Sequence, residues 1–291
     1  MSKKNIPQIK LNNGQTIPQF GLGVYQISNN KECEENCIKA IKLGYRHIDT
    51  AQIYGNEKGV GAAINSFKDI PREDFFITTK IWISDFDKGK AKKQVDEMLK
   101  RLNTDYIDLL LLHWPKGDYI SAYKDMEKAV NEGKVKSIGL SNFKENNLRE
   151  ILNIAKIKPV INQIELHPYA QRKQLVKMCE DNGIKIEAWY PIAHGDKNLI
   201  NNAVFTEMAK KYNKTNAQII LRWHIQSGNV VIPGSRNPKH IKENFDIFDF
   251  ELTSEEMAEI AKINKNVRYY NGTPEMIASY KQWAPDFDAQ E

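Results

Sequence analysis

Ile107-Asp108-Leu109-Leu110-Leu111-Leu112-His113 is a short apolar run that ends abruptly on a residue able to do chemistry, and the same arrangement recurs along the chain. The run around Tyr45–Ile48 ends at Asp49, Phe75–Thr79 at Lys80 and Val135–Leu140 at Ser141-Asn142. Val160–Asn162 ends at Gln163, Ile184–Ala188 at Trp189, and Val230–Pro233 at Gly234-Ser235. Helical patterns lie between these runs. Alternation of strand and helix favours parallel βαβ units and an α/β fold. In a closed parallel barrel the carboxyl ends of all strands converge on one face, where the active site lies. Residues far apart in sequence are therefore expected around one pocket, which makes the chain an enzyme candidate.

The length of 291 residues fits one (β/α)8 TIM barrel, which needs roughly 250, with modest extensions. No Ser/Gly/Pro-rich linker, low-complexity segment or fixed-period repeat interrupts it, so residues 1–291 are expected to form a single domain. The net charge is +5, but Lys and Glu alternate on helical surfaces, as in Ala91–Arg101, instead of forming a basic block. Nucleic acid is therefore not an expected partner, whereas an anionic small ligand suits a mildly positive cleft. Cys33, Cys37 and Cys179 are an odd count and imply no disulfide framework. Cys33 and Cys37 stand four apart on a probable helix without a second ligand pair nearby, which reads as free, buried or partly buried thiols. Met1–Asn5 carries no signal-peptide apolar core, and no apolar run approaches the ~20 residues of a membrane span. No membrane association and a cytoplasmic setting are expected.

Gln8–Leu11 and Thr16–Gln19 flank Asn12-Asn13-Gly14, a hairpin turn signal, and this N-terminal hairpin is expected to plug one end of the barrel. The first barrel strand is expected near Phe20–Gly23. Val95, Met98, Leu99 and Leu102 recur at helical spacing between Lys88 and Asn103. Thr253 with Glu256 forms a capping-box pattern ahead of Met257, Ile260 and Ile263. From about Asn264 a tail carries Tyr269, Tyr270, Tyr280 and Trp283, which either packs on the barrel or borders the pocket.

Familiar nucleotide motifs fail. Gly21-Leu22-Gly23 lacks the third glycine of a dinucleotide fingerprint, and Gly59-Val60-Gly61 lies inside a helical pattern without a preceding strand. No Walker-type loop and no Gly-x-Ser-x-Gly elbow occurs. Asp49, Tyr54, Lys80 and His113 form a more informative set. A tyrosine, with an ordinary pKa near ~10, is too weak an acid to donate readily at neutral pH. A lysine ammonium beside it favours the phenolate and brings the pKa down. A carboxylate such as Asp49 would hold that lysine charged and in place. A neutral histidine can donate a hydrogen bond to a carbonyl oxygen as charge develops there. Proton donor, pKa tuner, anchor and polariser are what carbonyl reduction requires, given a hydride source. Taken singly, each residue has a plain role. Asp49 could cap Thr50–Asn56, Tyr54 could be a half-buried aromatic, Lys80 could snorkel, and His113 could be a satisfied core histidine. Their joint placement at successive strand ends favours chemistry. The competing chemistry is a metal site built on His47-x-Asp49 with His113, His167 and Asp85. That pair stands on the second strand, and Lys80 would oppose a cation.

Three segments together resemble the aldo-keto reductase family. They are Gly44-Tyr45-Arg46-His47-Ile48-Asp49-Thr50-Ala51 running on to Tyr54-Gly55-Asn56-Glu57, then Glu132–Phe143, and Val231-Ile232-Pro233 through Asn244. The short segment after Ile192 is more similar to the bacterial and protozoal branch than to long-looped members. The resemblance implies a metal-free (β/α)8 barrel that binds nicotinamide dinucleotide in extended form and reduces small carbonyl substrates. It makes Tyr54 the proton donor, Lys80 its pKa tuner, Asp49 the partner of Lys80 and His113 the carbonyl polariser. It assigns Ser141, Asn142 and Gln163 to the carboxamide and Trp189 to the nicotinamide ring. Val24, Tyr25, Tyr190, Pro191 and Ile192 would follow the cofactor toward its pyrophosphate, and Ser235, Arg236, Asn237, His240, Glu243 and Asn244 its adenosine end. Tyr25, Trp82, His113, Trp114 and the C-terminal tail over the pocket would meet the substrate. A monomer is the state the short-looped branch suggests.

Two departures concern the cofactor. Gly234 stands where the family usually has lysine, and His240 where an arginine is common; both missing cations normally pair with the 2′-phosphate of NADPH. Arg236 is positioned to replace them, since arginine suits bidentate phosphate recognition. NADPH is therefore expected, with NADH open. The alternative from another class is a non-catalytic nucleotide-sensing or scaffold barrel, against which the intact set of four residues stands.

Overall fold

The computed structural model describes residues 6–270, 272–283 and 285–289. The segment Met1–Asn5, read above for a targeting signal, lies outside the described residues. Strands β1 (Gln8–Lys10) and β2 (Thr16–Pro18) pair antiparallel as the expected hairpin. Eight parallel strands follow in one sheet, in chain order. They are β3 (Leu22–Gly23), β4 (His47–Asp49), β5 (Phe76–Ile81), β6 (Ile107–Leu112), β7 (Val135–Ser141), β8 (Ile161–Glu165), β9 (Lys185–Trp189) and β10 (Val230–Val231). The sheet closes on itself where Phe20 bridges Val231 in parallel. There Gly21 N–H donates to the Val231 carbonyl at 2.8 Å and Val231 N–H to the Gln19 carbonyl at 3.0 Å. Helices α1 (Asn30–Leu43), α2 (Glu57–Asn65), α3 (Lys90–Leu102), α4 (Tyr119–Asn131), α5 (Glu145–Ile154) and α6 (Lys173–Asp181) connect the first strands. Then come α7 (Lys197–Ile200), α8 (Ala203–Tyr212), α9 (Asn216–Gln226), α10 (Pro238–Phe245), α11 (Ser254–Lys262) and α12 (Pro274–Gln282). The chain thus forms the (β/α)8 barrel.

Both terminal strands are shorter than their apolar runs. Pro233 has no N–H to extend β10, and the Gly23 and Gly234 backbones approach so closely that a Cβ on either would meet the other segment at 2.7 Å. The hairpin plugs the amino-terminal end. Leu11 and Ile17 pack with Phe76, Ile161 and Val230, the first residues of their strands, while Asn12 and Asn13 donate to the Pro159 carbonyl and to Ser137 Oγ at 2.9 and 3.0 Å. In α3 the periodic Val95, Met98 and Leu102 are buried, and Asn103 in the left-handed region stops the helix. The capping box of Thr253 and Glu256 opens α11, and Thr215 with Gln218 makes another on α9. Gly59 and Gly61 prove to be packing residues: a Cβ would come within 2.4 Å of the Asn30 carbonyl and 2.3 Å of the Leu102 carbonyl, so α2 lies tight against α1 and α3. Cys33, Cys37 and Cys179 are buried free thiols. Among the described residues no helix is long and apolar enough to cross a membrane.

Candidate active site

At the carboxyl end of the barrel, successive strands bring the four chemical residues together. Asp49 ends β4, Lys80 is the last residue but one of β5, and His113 follows β6 directly. Tyr54 closes the 3-10 turn Gln52–Tyr54. That turn is held by wholly buried Asn56, whose amide donates to the Val24 and Ile27 carbonyls at 2.9 and 2.7 Å. Both backbone groups of Val24 are thereby engaged, since its N–H donates to the Asp49 carbonyl at 3.0 Å; its side chain is buried. Glu57, in the same segment, is structural. It accepts from Arg101 Nε at 2.7 Å and from Thr79 Oγ1 at 2.6 Å, which fastens α2 to β5 beside Lys80.

Lys80 is fully buried, not snorkelling at the surface. Its Nζ donates to Asp49 Oδ1 at 2.7 Å and the Thr50 carbonyl at 2.8 Å, and reaches Tyr54 Oη at 3.5 Å. The His113 ring stands edge-on to the Tyr54 ring with centroids 5.7 Å apart. Burial and the Lys80 ammonium hold His113 well below the usual histidine range, so its imidazole is neutral. Burial, with the Asp49 carboxylate next, pushes the Tyr54 phenol well above its ordinary value. The expected lowering by Lys80 is thus reversed in this arrangement, because desolvation of a phenolate and a carboxylate nearby outweigh an ammonium at the edge of hydrogen-bonding reach. The consequence is a phenol that stays protonated across the neutral range.

Beyond this set the barrel interior continues as a polar chain. Gln163 Nε2 donates to Asp49 Oδ2 at 2.8 Å and to Glu187 Oε2 at 2.9 Å. Glu187 faces inward on β9, two residues before Trp189. It was not singled out from sequence, though a carboxylate inside the run Ile184–Ala188 at an inward-facing spacing from Trp189 is a signal that could have found it. Asn142, with φ of 65°, spans three groups: Nδ2 donates to the His113 carbonyl and Ser141 Oγ, both at 3.1 Å, and Oδ1 accepts from Trp189 Nε1 at 3.0 Å. Among the described residues this leaves the Ser141 hydroxyl proton and Gln163 Oε1 uncommitted. One donor and one acceptor side by side match a primary carboxamide, whereas the Asn142 side chain is engaged within the protein.

The metal reading gathers no ligands. His47 lies on Thr78 Oγ1 at 3.0 Å, His167 pairs with Glu165 at 3.2 Å, and Asp85 accepts from Gln52 at 2.8 Å. Among the described residues no three His, Cys, Asp or Glu are grouped to hold an ion.

The aromatic tail both packs and borders the pocket. Glu165 accepts the N–H groups of Tyr269 and Tyr270 at 2.5 and 3.1 Å and so fastens it beside β8. Tyr270 and Tyr280 touch through their hydroxyls, and both lean on Trp114, with centroids 5.1 and 6.2 Å away. Trp82, expected to face substrate, is 3% exposed: the tail covers it through Tyr280 and Trp283, and its Nε1 donates to the Trp283 carbonyl at 2.9 Å. Tyr25 remains half exposed, 5.0 Å from the Tyr54 ring.

Residues 19–265 match the aldo/keto reductase family model. The chain belongs to this family. Glyoxal reductase of Bacillus subtilis is 44% identical to this reductase over 270 residues, 92% of this chain and 97% of that one. Methylglyoxal reductase DkgA of Escherichia coli K12 is 45% identical over 263 residues, 89% and 94% of the two chains. Among solved structures, an aldo/keto reductase from Brucella melitensis aligns with a TM-score of 0.85 at 46% identity, covering 89% of this chain and all of that one. A Bombyx mori aldo-keto reductase in complex with NADP aligns with a TM-score of 0.86 at 34% identity, over 98% and 99% of the two chains. This reductase is therefore an oxidoreductase that uses a nicotinamide cofactor and acts on carbonyl compounds.

Its last βα loop carries the departures noted above. A side chain at Gly234 would drive its Cβ to 2.7 Å from the Gly23 carbonyl oxygen, so lysine there would force the backbone apart. Ser235 Oγ accepts from Asn237 N–H at 3.1 Å, and Asn237 caps α10 through Lys239 N–H. His240 is exposed, Glu243 half-buried and Asn244 buried. Arg236 is an exposed cation, with Nε 3.3 Å from Glu32 and Nη2 on the Gln26 carbonyl. Across the mouth, Tyr190 has a φ of 50°, uncommon for a bulky residue. Pro191 accepts from His224 at 3.0 Å, and Ile192 from Gly195 N–H.

Proposed function

We propose that this reductase converts aldehydes and ketones, small dicarbonyls among them, to alcohols with NADPH, and that Tyr54 delivers the proton. The observation that carries this reading is the contact series Asp49–Lys80–Tyr54, at 2.7 and 3.5 Å, with neutral His113 beside the phenol. The nicotinamide, when bound, supplies hydride to the carbonyl carbon. Ser141 and Gln163 would hold its carboxamide, and Trp189, its indole fixed by Asn142, would offer a flat face to the ring. Tyr54 and His113 then converge on one carbonyl oxygen. The imidazole steadies the developing negative charge, and the phenol gives up its proton as that oxygen becomes basic. Lys80 compensates the phenolate left behind, which is where its ammonium matters most. Half-exposed Tyr25 and Trp114, with the tail, supply apolar walls. Names of relatives that act on glyoxal and methylglyoxal support small dicarbonyls as the first substrates to try.

The decisive assay follows loss of NADPH absorbance on adding methylglyoxal or a panel of aldehydes. Turnover is expected. Tight NADPH binding with no turnover across the panel would favour a nucleotide-sensing role instead.

For the cofactor, an exposed ion pair such as Arg236–Glu32 contributes little. A dianionic 2′-phosphate can therefore displace Glu32 and take the guanidinium. Arg236→Ala is expected to weaken NADPH binding by about 1.5–3 kcal/mol, tenfold or more, while NADH binding holds. Equal effects on the two Kd values, or none, would remove Arg236 as the phosphate clamp.

A further inference from the structure

Glu187 has no part in the chemistry described above, yet it lies within the same hydrogen-bonded interior. It is fully buried on β9. Its Oε2 shares the Gln163 amide nitrogen with Asp49, at 2.9 and 2.8 Å respectively. Its Oε1 accepts no hydrogen bond, and His47 Nε2 lies 3.5 Å away. Burial drives that histidine down to about 3, so it offers no cation. From the surrounding strands the charged and titratable groups facing Glu187 are His47 and Asp49 of β4 and Lys80 of β5, with Tyr54 above them. The single ammonium is already matched by Asp49. An ionised Glu187 would be a second buried carboxylate with no positive partner and one bare oxygen, which is an expensive arrangement in a low-dielectric interior.

We propose that Glu187 is a positioning residue for proton delivery. As the neutral acid it holds the Gln163 amide nitrogen toward Asp49, and its ionisation sets a second negative charge behind the Asp49–Lys80 pair and weakens Tyr54 as an acid. The inference rests on Tyr54 being the proton donor. The geometry around Gln163 supports it. With both Gln163 N–H groups directed inward, its carbonyl oxygen is turned toward the pocket, and Asp49 keeps Oδ1 for Lys80. Glu187 is also near enough to be felt at Tyr54: its charge adds to the rise of the phenol, behind burial, Asp49, Tyr25 and Tyr190. Burial and the neighbouring Asp49 push the Glu187 carboxyl up to about 8. Tyr54 is held well higher and His113 well lower, so neither competes in that range; burial raises Asp49 as well, and its pairing with Lys80 and Gln163 opposes that rise.

The test compares wild type with Glu187→Gln, which keeps the shape and cannot ionise. In wild type, kcat for carbonyl reduction should fall as pH rises through about 8. In Glu187→Gln that fall should vanish or move up by about one pH unit or more, with the change in kcat and not in KM. An unchanged alkaline limb in Glu187→Gln overturns the proposal. Stability gives a cofactor-free readout. Between the ordinary glutamate range and about 8, the folded state keeps a proton that the unfolded chain has lost, so wild-type stability falls as pH rises there. The Tm advantage of Glu187→Gln should widen across that window, and a constant difference counts against the proposal. Should the variant fail to fold, infrared spectroscopy of the wild type decides: a protonated-carboxyl band must disappear as pH crosses about 8, and a spectrum with no such titration overturns the idea. Absence of carbonyl reduction at every pH would instead refute the proposed function, while the infrared titration would still report on Glu187.

Discussion

Tyr54→Phe is expected to lower kcat for carbonyl reduction by about 10²–10⁴-fold, the usual contribution of a positioned general acid, and to leave the cofactor Kd nearly unchanged. The substitution removes one oxygen and nothing that holds the site. Lys80 keeps Asp49 and the Thr50 carbonyl, and the phenyl ring keeps its contacts with His113 and Tyr25. The loss should therefore appear in kcat and kcat/KM together, the mark of an interaction made in the transition state. Single-turnover kinetics beside a cofactor titration by protein fluorescence would measure both quantities. Comparable turnover in Tyr54→Phe would mean that another group is the acid.

Lys80→Met should be the most destabilising change at the site. Lys80 and Asp49 are both buried and joined at 2.7 Å, and removing the ammonium strands a carboxylate that retains only the Gln163 amide. Breaking such a pair from one side costs about 3–5 kcal/mol, roughly 10 °C in Tm for a chain of this size. The sign of the pH dependence follows from Asp49. Burial already raises its carboxyl, and loss of Lys80 raises it further. The deficit should be largest at neutral and alkaline pH and shrink as acid protonates Asp49. Asp49→Asn combined with Lys80→Met should cost less than the two changes added, because the double variant leaves no stranded charge. Denaturant midpoints at two pH values check this, and a wild-type midpoint for Lys80→Met would show that the pair does not hold the barrel mouth.

Much of the architecture was legible because a parallel barrel obeys a simple rule. Each apolar run that stops on a polar residue places that residue at the rim, and eight rims form one circle. Asp49, Lys80, His113 and Trp189 could be grouped on that rule without knowledge of any distance. The hairpin, α3 and the Thr253 capping box were legible for local reasons: turn chemistry, spacing and side-chain reach. That the tail covers Trp82 leaves no mark in the sequence, because an aromatic next to a strand end looks the same whether a tail lies on it or not. Arg236 stands out in the sequence as a cation in the last βα loop, but its engagement with Glu32, more than two hundred residues earlier in the chain, carries no local trace.

By itself the sequence determined which side chains stand at the carboxyl ends of the strands, because strand period and strand–helix alternation are encoded within a few residues. Only the tertiary structure decided what each of them touches. Whether Tyr54 is a stronger or weaker acid than free tyrosine depends on burial and on Asp49. Whether Gln163 serves the pocket or the interior depends on Glu187, and where the tail rests depends on Glu165. These outcomes turn on ångström-scale distances between strands far apart in the chain, and on desolvation, which belongs to the assembled interior and not to any one stretch of residues.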